Sequence, residues 1–225
     1  MARKIMTEQE KAKSKRRILI VSLVLVLLAI IGVVVAIFMF TKEEPKTMVE
    51  IKELDNLGDY GYKLTDRDSD YFKSEFEILK GIVNSKEVDE EKYVTQVARM
   101  FIIDLYTMST KVNKYDIGGI EYYHNTKKDM HEQKTMDTLY STLLDDTYGD
   151  REQVLPEIKN VETVSIEKTK YMLGETEVDG YLVKLKMTYV SEMGYDKEGS
   201  LVVCKENGKR WSVVDYQPTL NPSYK

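Results

Sequence analysis

The run that begins at Ile18 and ends at Phe40 constrains this 225-residue chain more than any other feature: 23 residues without a charge, with Ser22 as the only polar side chain. A helix needs about 20 apolar residues to cross the hydrocarbon core of a bilayer. A helix apolar on every face has no polar side to offer water, so a buried core helix of this length is a poor account of it. The run exceeds the h-region of a signal peptide, and no small-x-small cleavage pattern follows it. It therefore predicts a transmembrane helix over 18–40, and the lipid bilayer is the first expected partner. Gly32 and Ala36 form a small-xxx-small pair that would let a second helix approach closely.

Charge sets the expected orientation. Residues 1–17 carry seven basic and two acidic side chains, a balance of +5, and Lys15, Arg16 and Arg17 abut the apolar run. Beyond it, Lys42 and Lys46 are offset by Glu43 and Glu44. Positive residues stay inside, so the N-terminus is expected in the cytoplasm and the C-terminal part outside. The whole chain is −5, which leaves −10 for residues 18–225. An acidic outer domain excludes a phosphate-neutralising face and hence nucleic acid as a partner. The single cysteine, Cys204, means that an exported domain would hold together by its core and not by an internal disulfide.

The sequence divides into a basic tail (1–17), the span (18–40), a linker with Pro45 and Gly58 (41–59) and an outer domain (60–225). Tyr60, Tyr62 and Leu64 alternate as in a short strand. Phe72, Phe76, Leu79 and Val83 recur at helical spacing and predict a helix over 66–83. Val94, Val97, Ala98, Phe101, Ile102 and Leu105 predict a second, starting near Asp89 with Glu90 and Glu91 in its first turn. A third is predicted over 128–144 with Met136, Leu139, Tyr140 and Leu143 facing in. After Pro156 the period becomes two. Val164 and Ile166 open the first strand, and Tyr181, Val183, Leu185, Met187 and Tyr189 alternate along the clearest one. A third strand covers 201–205. The Asn207-Gly208 pair predicts a two-residue hairpin turn. A fourth strand over 210–216 then has Trp211 and Val213 on one face and Val214 and Tyr216 on the other. The expected class is α+β: one transmembrane helix, then three helices packed on a four-stranded antiparallel sheet.

This element order, across about residues 66–216, resembles the cone-shaped fold named after the nuclear transport factor family. The layout of short basic tail, one span, linker and cone domain is similar to scaffold proteins of bacterial conjugation and type IV secretion machines. The resemblance implies a non-catalytic, membrane-anchored scaffold or assembly protein of the bacterial cell envelope, in a secretion, conjugation or cell-wall complex. Its partners would be other envelope proteins, with a homo-oligomer open. It equally implies the alternative of an outer cone domain that encloses a small-ligand or enzymatic pocket, marked by an acid or histidine with a perturbed pKa.

Several side-chain patterns are candidate sites. Asp66, Asp68, Asp70 and Glu77 fall at positions 1, 3, 5 and 12 of a calcium-loop spacing, but Tyr71 stands where the loop turn needs glycine. The same residues read as an acidic helix start, with Asp68, Ser69 or Asp70 as N-cap. Cys204, with Arg210 after it and His124 or His131 before it, is similar to the nucleophile arrangement of sortase transpeptidases. Val203 stands where that family has threonine, and Val202 and Val203 point to burial. His131-Glu132 opens like a zinc-protease helix but has Thr135 in place of the second histidine. The Asp116-Ile117-Gly118-Gly119 segment reads as a tight connection or a backbone nest. Tyr60 and Tyr62, just before the first helix, are candidates for a partner surface. No cofactor motif is present.

Overall fold

A computed structural model describes residues 8–40, 48–206 and 208–219, and within the first helix the side chains of 15–17 and 19–35. It divides into two units, residues 1–47 and 48–225. In the first, a single helix, α1 (Glu8–Phe40), runs for 33 residues, a length of about 50 Å. Its window Lys15–Val35 is long and apolar enough to cross a membrane. Gly32 has open space around its Cα, while the side chains of Ile18, Ala36 and Phe40 and all of residues 41–47 lie outside the description.

The second unit is α+β. It begins at Met48, so a short strand, β1 (Glu53–Asn56), falls within the stretch expected as linker and pairs antiparallel with β2 (Lys63–Thr65). Two helices follow, each started as the sequence indicates. Ser69 caps α2 (Asp70–Val83) by accepting from the Phe72 amide, and Asp89 caps α3 (Glu90–Tyr106) by accepting from that of Lys92. The apolar stripe of α2 is buried as predicted, with Glu75 beside it. On α3 burial goes further than one stripe: Tyr93, Gln96, Met100, Ile103 and Tyr106 are covered as well. A helix covered on nearly all sides is the centre of a domain.

The third helix is shorter than expected. α4 (Lys128–Asp137) stops where Thr138 leaves helical geometry, at φ −119° and ψ −84°. Its own buried residues are His131 and Thr135, while Tyr140 and Leu143 reach the core from the turns beyond it.

The sheet is an antiparallel meander in the order β3 (Ile158–Leu173), β4 (Thr176–Tyr189), β5 (Glu198–Glu206), β6 (Arg210–Pro218). β3 starts earlier than expected, and Val164 is an exposed bulge residue in it. The alternating set Tyr181 to Tyr189 is buried throughout. Two details of the last hairpin differ from the sequence reading. Glu206 pairs with Arg210, so the connection is three residues long, with Gly208 at φ +79° and Asn207 outside the described residues. Val203 pairs with Val213 but Val202 with Asp215, which makes Val214 an extra, bulged residue. A bulge reverses the alternation after it. Tyr216 therefore shares the helix-facing side with Trp211 and Val213, and its ring meets Phe101 at 5.6 Å.

Helices also close one edge of the sheet. Tyr71 Oη accepts from the Val161 amide at 3.0 Å, and Arg99 donates to the Val161 carbonyl. Glu75 holds Arg99 in place at 2.5 Å and also accepts from Gln96 Nε2 at 2.7 Å. At Val161 the edge is thus closed to another strand.

Candidate functional site

Most of the candidate residues resolve into structural roles when traced individually. Tyr62 is fully buried: its hydroxyl donates to the Trp211 carbonyl at 2.9 Å and lies 3.1 Å from that of Tyr93. It is a core residue and not a partner surface, because Tyr122 stacks on its ring at 4.8 Å. Tyr60, half-buried, packs edge-on against Tyr93 at 5.8 Å.

The four acids of the calcium spacing do not converge. Asp66 accepts from the Lys52 amide and Asp68 from Thr65, while Glu77 pairs with Lys80. Asp70 sits in the first turn of α2 with its side chain in solvent. Among the described residues no group of three His, Cys, Asp or Glu side chains is placed to hold a metal.

Cys204 is buried on the face of the sheet away from α3, opposite Gly180, where a Cβ would come within 2.7 Å of its sulfur. Burial pushes its thiol up to about 11, so little thiolate exists at neutral pH. Arg210 lies over the Tyr62 ring and donates to the Glu121 carbonyl. His131 packs on Phe101, on the helix side. His124 bonds Thr126 through Nδ1. The sortase-like set is thus not assembled.

The Gly118-Gly119 segment lies on α3. Asp104 Oδ2 accepts from the Gly119 amide at 2.6 Å, and the same carboxylate pairs with the buried ammonium of Lys111. Burial alone would lower the Lys111 pKa, but Asp104, with Tyr140 and Asp116, more than offsets it and the net shift is upward. Asp68, Asp116 and Glu121 line a small recess beside this pair, about 150 Å³ in volume.

A larger cleft than this recess lies elsewhere, at the rim where α3 and α4 meet β6. It encloses about 290 Å³ and is lined by Tyr106, Tyr123, His131, Lys134, Asp196, Asp215 and Tyr216 among others. Tyr106 comes from the last turn of α3, Tyr216 from β6 beyond the bulge, and Asp196 from the loop between β4 and β5. Tyr106 Oη donates to Asp196 Oδ2 at 3.2 Å and lies 2.9 Å from Tyr216 Oη. The loop is fixed by Tyr189, whose hydroxyl donates to the Asp196 carbonyl at 2.7 Å. Burial raises the Asp196 carboxyl, opposed by the bond from Tyr106. Burial also lowers His131, to about 4, with Lys134 adding to the effect. The neutral ring stacks on Tyr123 at 4.1 Å. Asp196, Tyr106 and Tyr216 do not stand out as a group in the sequence, since they come from three distant elements.

His131 yields a pH prediction. The folded protein resists a proton that the unfolded chain takes up below 6.5, so its contribution is whole above 6.5 and is lost as the pH falls towards 4. At pH 4.5 the loss is about 2 kcal/mol. The raised carboxyls of Asp68, Glu121 and Asp196 act in the opposite sense but are common to wild type and variant. His131→Phe keeps a ring on Tyr123, and its melting temperature should fall less between pH 7 and pH 4.5 than that of the wild type. Equal falls would remove the buried histidine as a cause.

No protein-family model matches the chain, and neither a curated protein nor a solved structure matches it.

Proposed function

We propose that the chain is a single-pass membrane protein whose second unit, on the extracytoplasmic side, works as a non-catalytic scaffold or assembly domain of the cell envelope. The observation that supports this best is the apolar helix joined to a domain whose interior is filled by its own side chains: Phe76, Phe101, Met187 and Trp211 are buried among each other's neighbours. The basic flank of the helix favours a cytoplasmic N-terminus. A domain filled in this way acts through its surface. Treating intact cells with a membrane-impermeant amine cross-linker should join the chain to envelope proteins through its outer lysines. The same partners should be recovered when 18–40 is replaced by an unrelated span. An absence of adducts would overturn both the orientation and the assembly role.

A second reading, a small-ligand-binding outer domain, is favoured by one specific observation. The rim cleft contains both an acid and a histidine displaced from their ordinary titration ranges.

A further inference from the structure

Resting on the ligand-binding reading, we propose that the rim cleft binds a small organic cation, a primary alkylammonium seated on Asp196 and Tyr216.

The case starts from the hydrogen bonds. A phenol has one proton to give. Tyr106 gives its proton to Asp196, so the bond between Tyr106 and Tyr216 must be donated by Tyr216. The proton of Tyr216 is then committed, and its oxygen presents lone pairs alone to the cleft that it lines. Asp196 contributes a second acceptor. Among the described residues only its Oδ2 is engaged and no cation lies within ion-pair distance of it; the adjacent Lys197 pairs with Glu192 at 2.7 Å instead. Asp215 adds a third, bonded among the described residues to Gln217 at 3.0 Å. At Asp196 and Tyr216 the cleft thus presents acceptors and no free donor, the complement of an ammonium with three N–H groups.

The surrounding rings favour the same charge. Three of the residues that line the cleft are tyrosines, Tyr106, Tyr123 and Tyr216. Aromatic faces attract cations and repel anions. Lys134 is the one cation in the lining, exposed and outside ion-pair distance of either carboxylate. It would compete with a cationic ligand. The volume, at the lower edge of ligand pockets, sets a limit on ligand size.

The test uses the full chain in an uncharged maltoside detergent, with n-butylammonium, tetramethylammonium, butanol and butyrate as probes, by calorimetric titration. Butylammonium should bind saturably and more tightly than tetramethylammonium, which has the charge but no N–H. Asp196→Asn keeps an acceptor for Tyr106 and should weaken butylammonium at least tenfold. Lys134→Ala should tighten it several-fold. Tyr216→Phe, which leaves the Asp196 charge in place, should weaken it less than Asp196→Asn. Tighter binding of butanol or butyrate would overturn the cation assignment and leave the ligand-binding reading standing, as would butylammonium affinity indifferent to Asp196→Asn. No saturable binding by any of the four would overturn both.

Discussion

Gly118→Ala should unfold the second unit far more readily than the size of the change suggests. A Cβ at this position would stand 2.1 Å from the Asp104 carbonyl oxygen, 2.6 Å from its carbon and 2.8 Å from the Tyr140 hydroxyl. The first two belong to the backbone of α3, which cannot give way without breaking the helix. The loop must lift instead, and it carries the Gly119 amide that bonds Asp104 and the Gly118 amide that bonds Tyr140. Lifting it also disturbs the carboxylate that neutralises buried Lys111. Overpacking against fixed atoms costs about 1–3 kcal/mol and more where the backbone is the obstacle, so about 3 kcal/mol is expected. For a domain of this size that is a drop in melting temperature of roughly 6–12 °C. Gly81→Ala is the matched contrast. Gly81 lies in α2, exposed, with nothing within 4 Å of its added Cβ. Alanine there should raise stability by about 0.5–1 kcal/mol. Thermal unfolding of both variants in detergent, followed by near-ultraviolet circular dichroism, reads the difference. A Gly118→Ala protein melting within a degree or two of wild type would show that the loop does not rest on α3.

Trp211→Ala should leave the chain in the membrane fraction and its second unit open to protease. Trp211 is 5% exposed, meets Tyr181 edge-on at 5.4 Å and carries Lys205 over its face at 5.6 Å. Its carbonyl receives the Tyr62 hydroxyl, so loss of the side chain also loosens the strand that holds the tyrosine cluster. Truncating a buried tryptophan costs about 3–5 kcal/mol, a large part of the roughly 5–15 kcal/mol that keeps a domain folded. The helix α1 forms a separate unit and is untouched. Limited proteolysis of membranes with the domain accessible should give rapid loss of the second unit and retention of a small membrane-embedded piece. Resistance equal to wild type would place Trp211 outside the core that holds the domain together.

The parts of this fold that the sequence discloses are those with a simple period. The stripes of α2 and α3 and the alternation of β4 follow from burial on one face, and Ser69 and Asp89 mark helix starts because their side chains satisfy free amides. α4 escapes the same logic: its inward residues are His131 and Thr135, which carry no apolar signal. The bulge at Val214 shows in the sequence only as the Val213-Val214 pair, which breaks the alternation of Trp-Ser-Val-Val-Asp-Tyr but reads equally as a strand with both faces apolar, and it moves Tyr216 from one face to the other. The rim cleft depends on that move. Its acid comes from a loop whose place is set by a tyrosine seven residues earlier, a bond that no periodicity announces.

The near-complete burial of α3 has a consequence for the order in which this protein is made. Synthesis runs from the N-terminus, and at about 5–20 residues per second the roughly 110 residues between the end of α3 and the end of β6 take on the order of 5–20 s to appear. Until β3 appears, about halfway through that interval, α2 is the one long partner that α3 has among the described elements, and the side that will meet β3, β4 and β6 is bare. Pairing of Tyr71 and Arg99 with Val161 cannot begin until β3 has emerged. The nascent domain thus presents a sticky helix for seconds before its cover arrives.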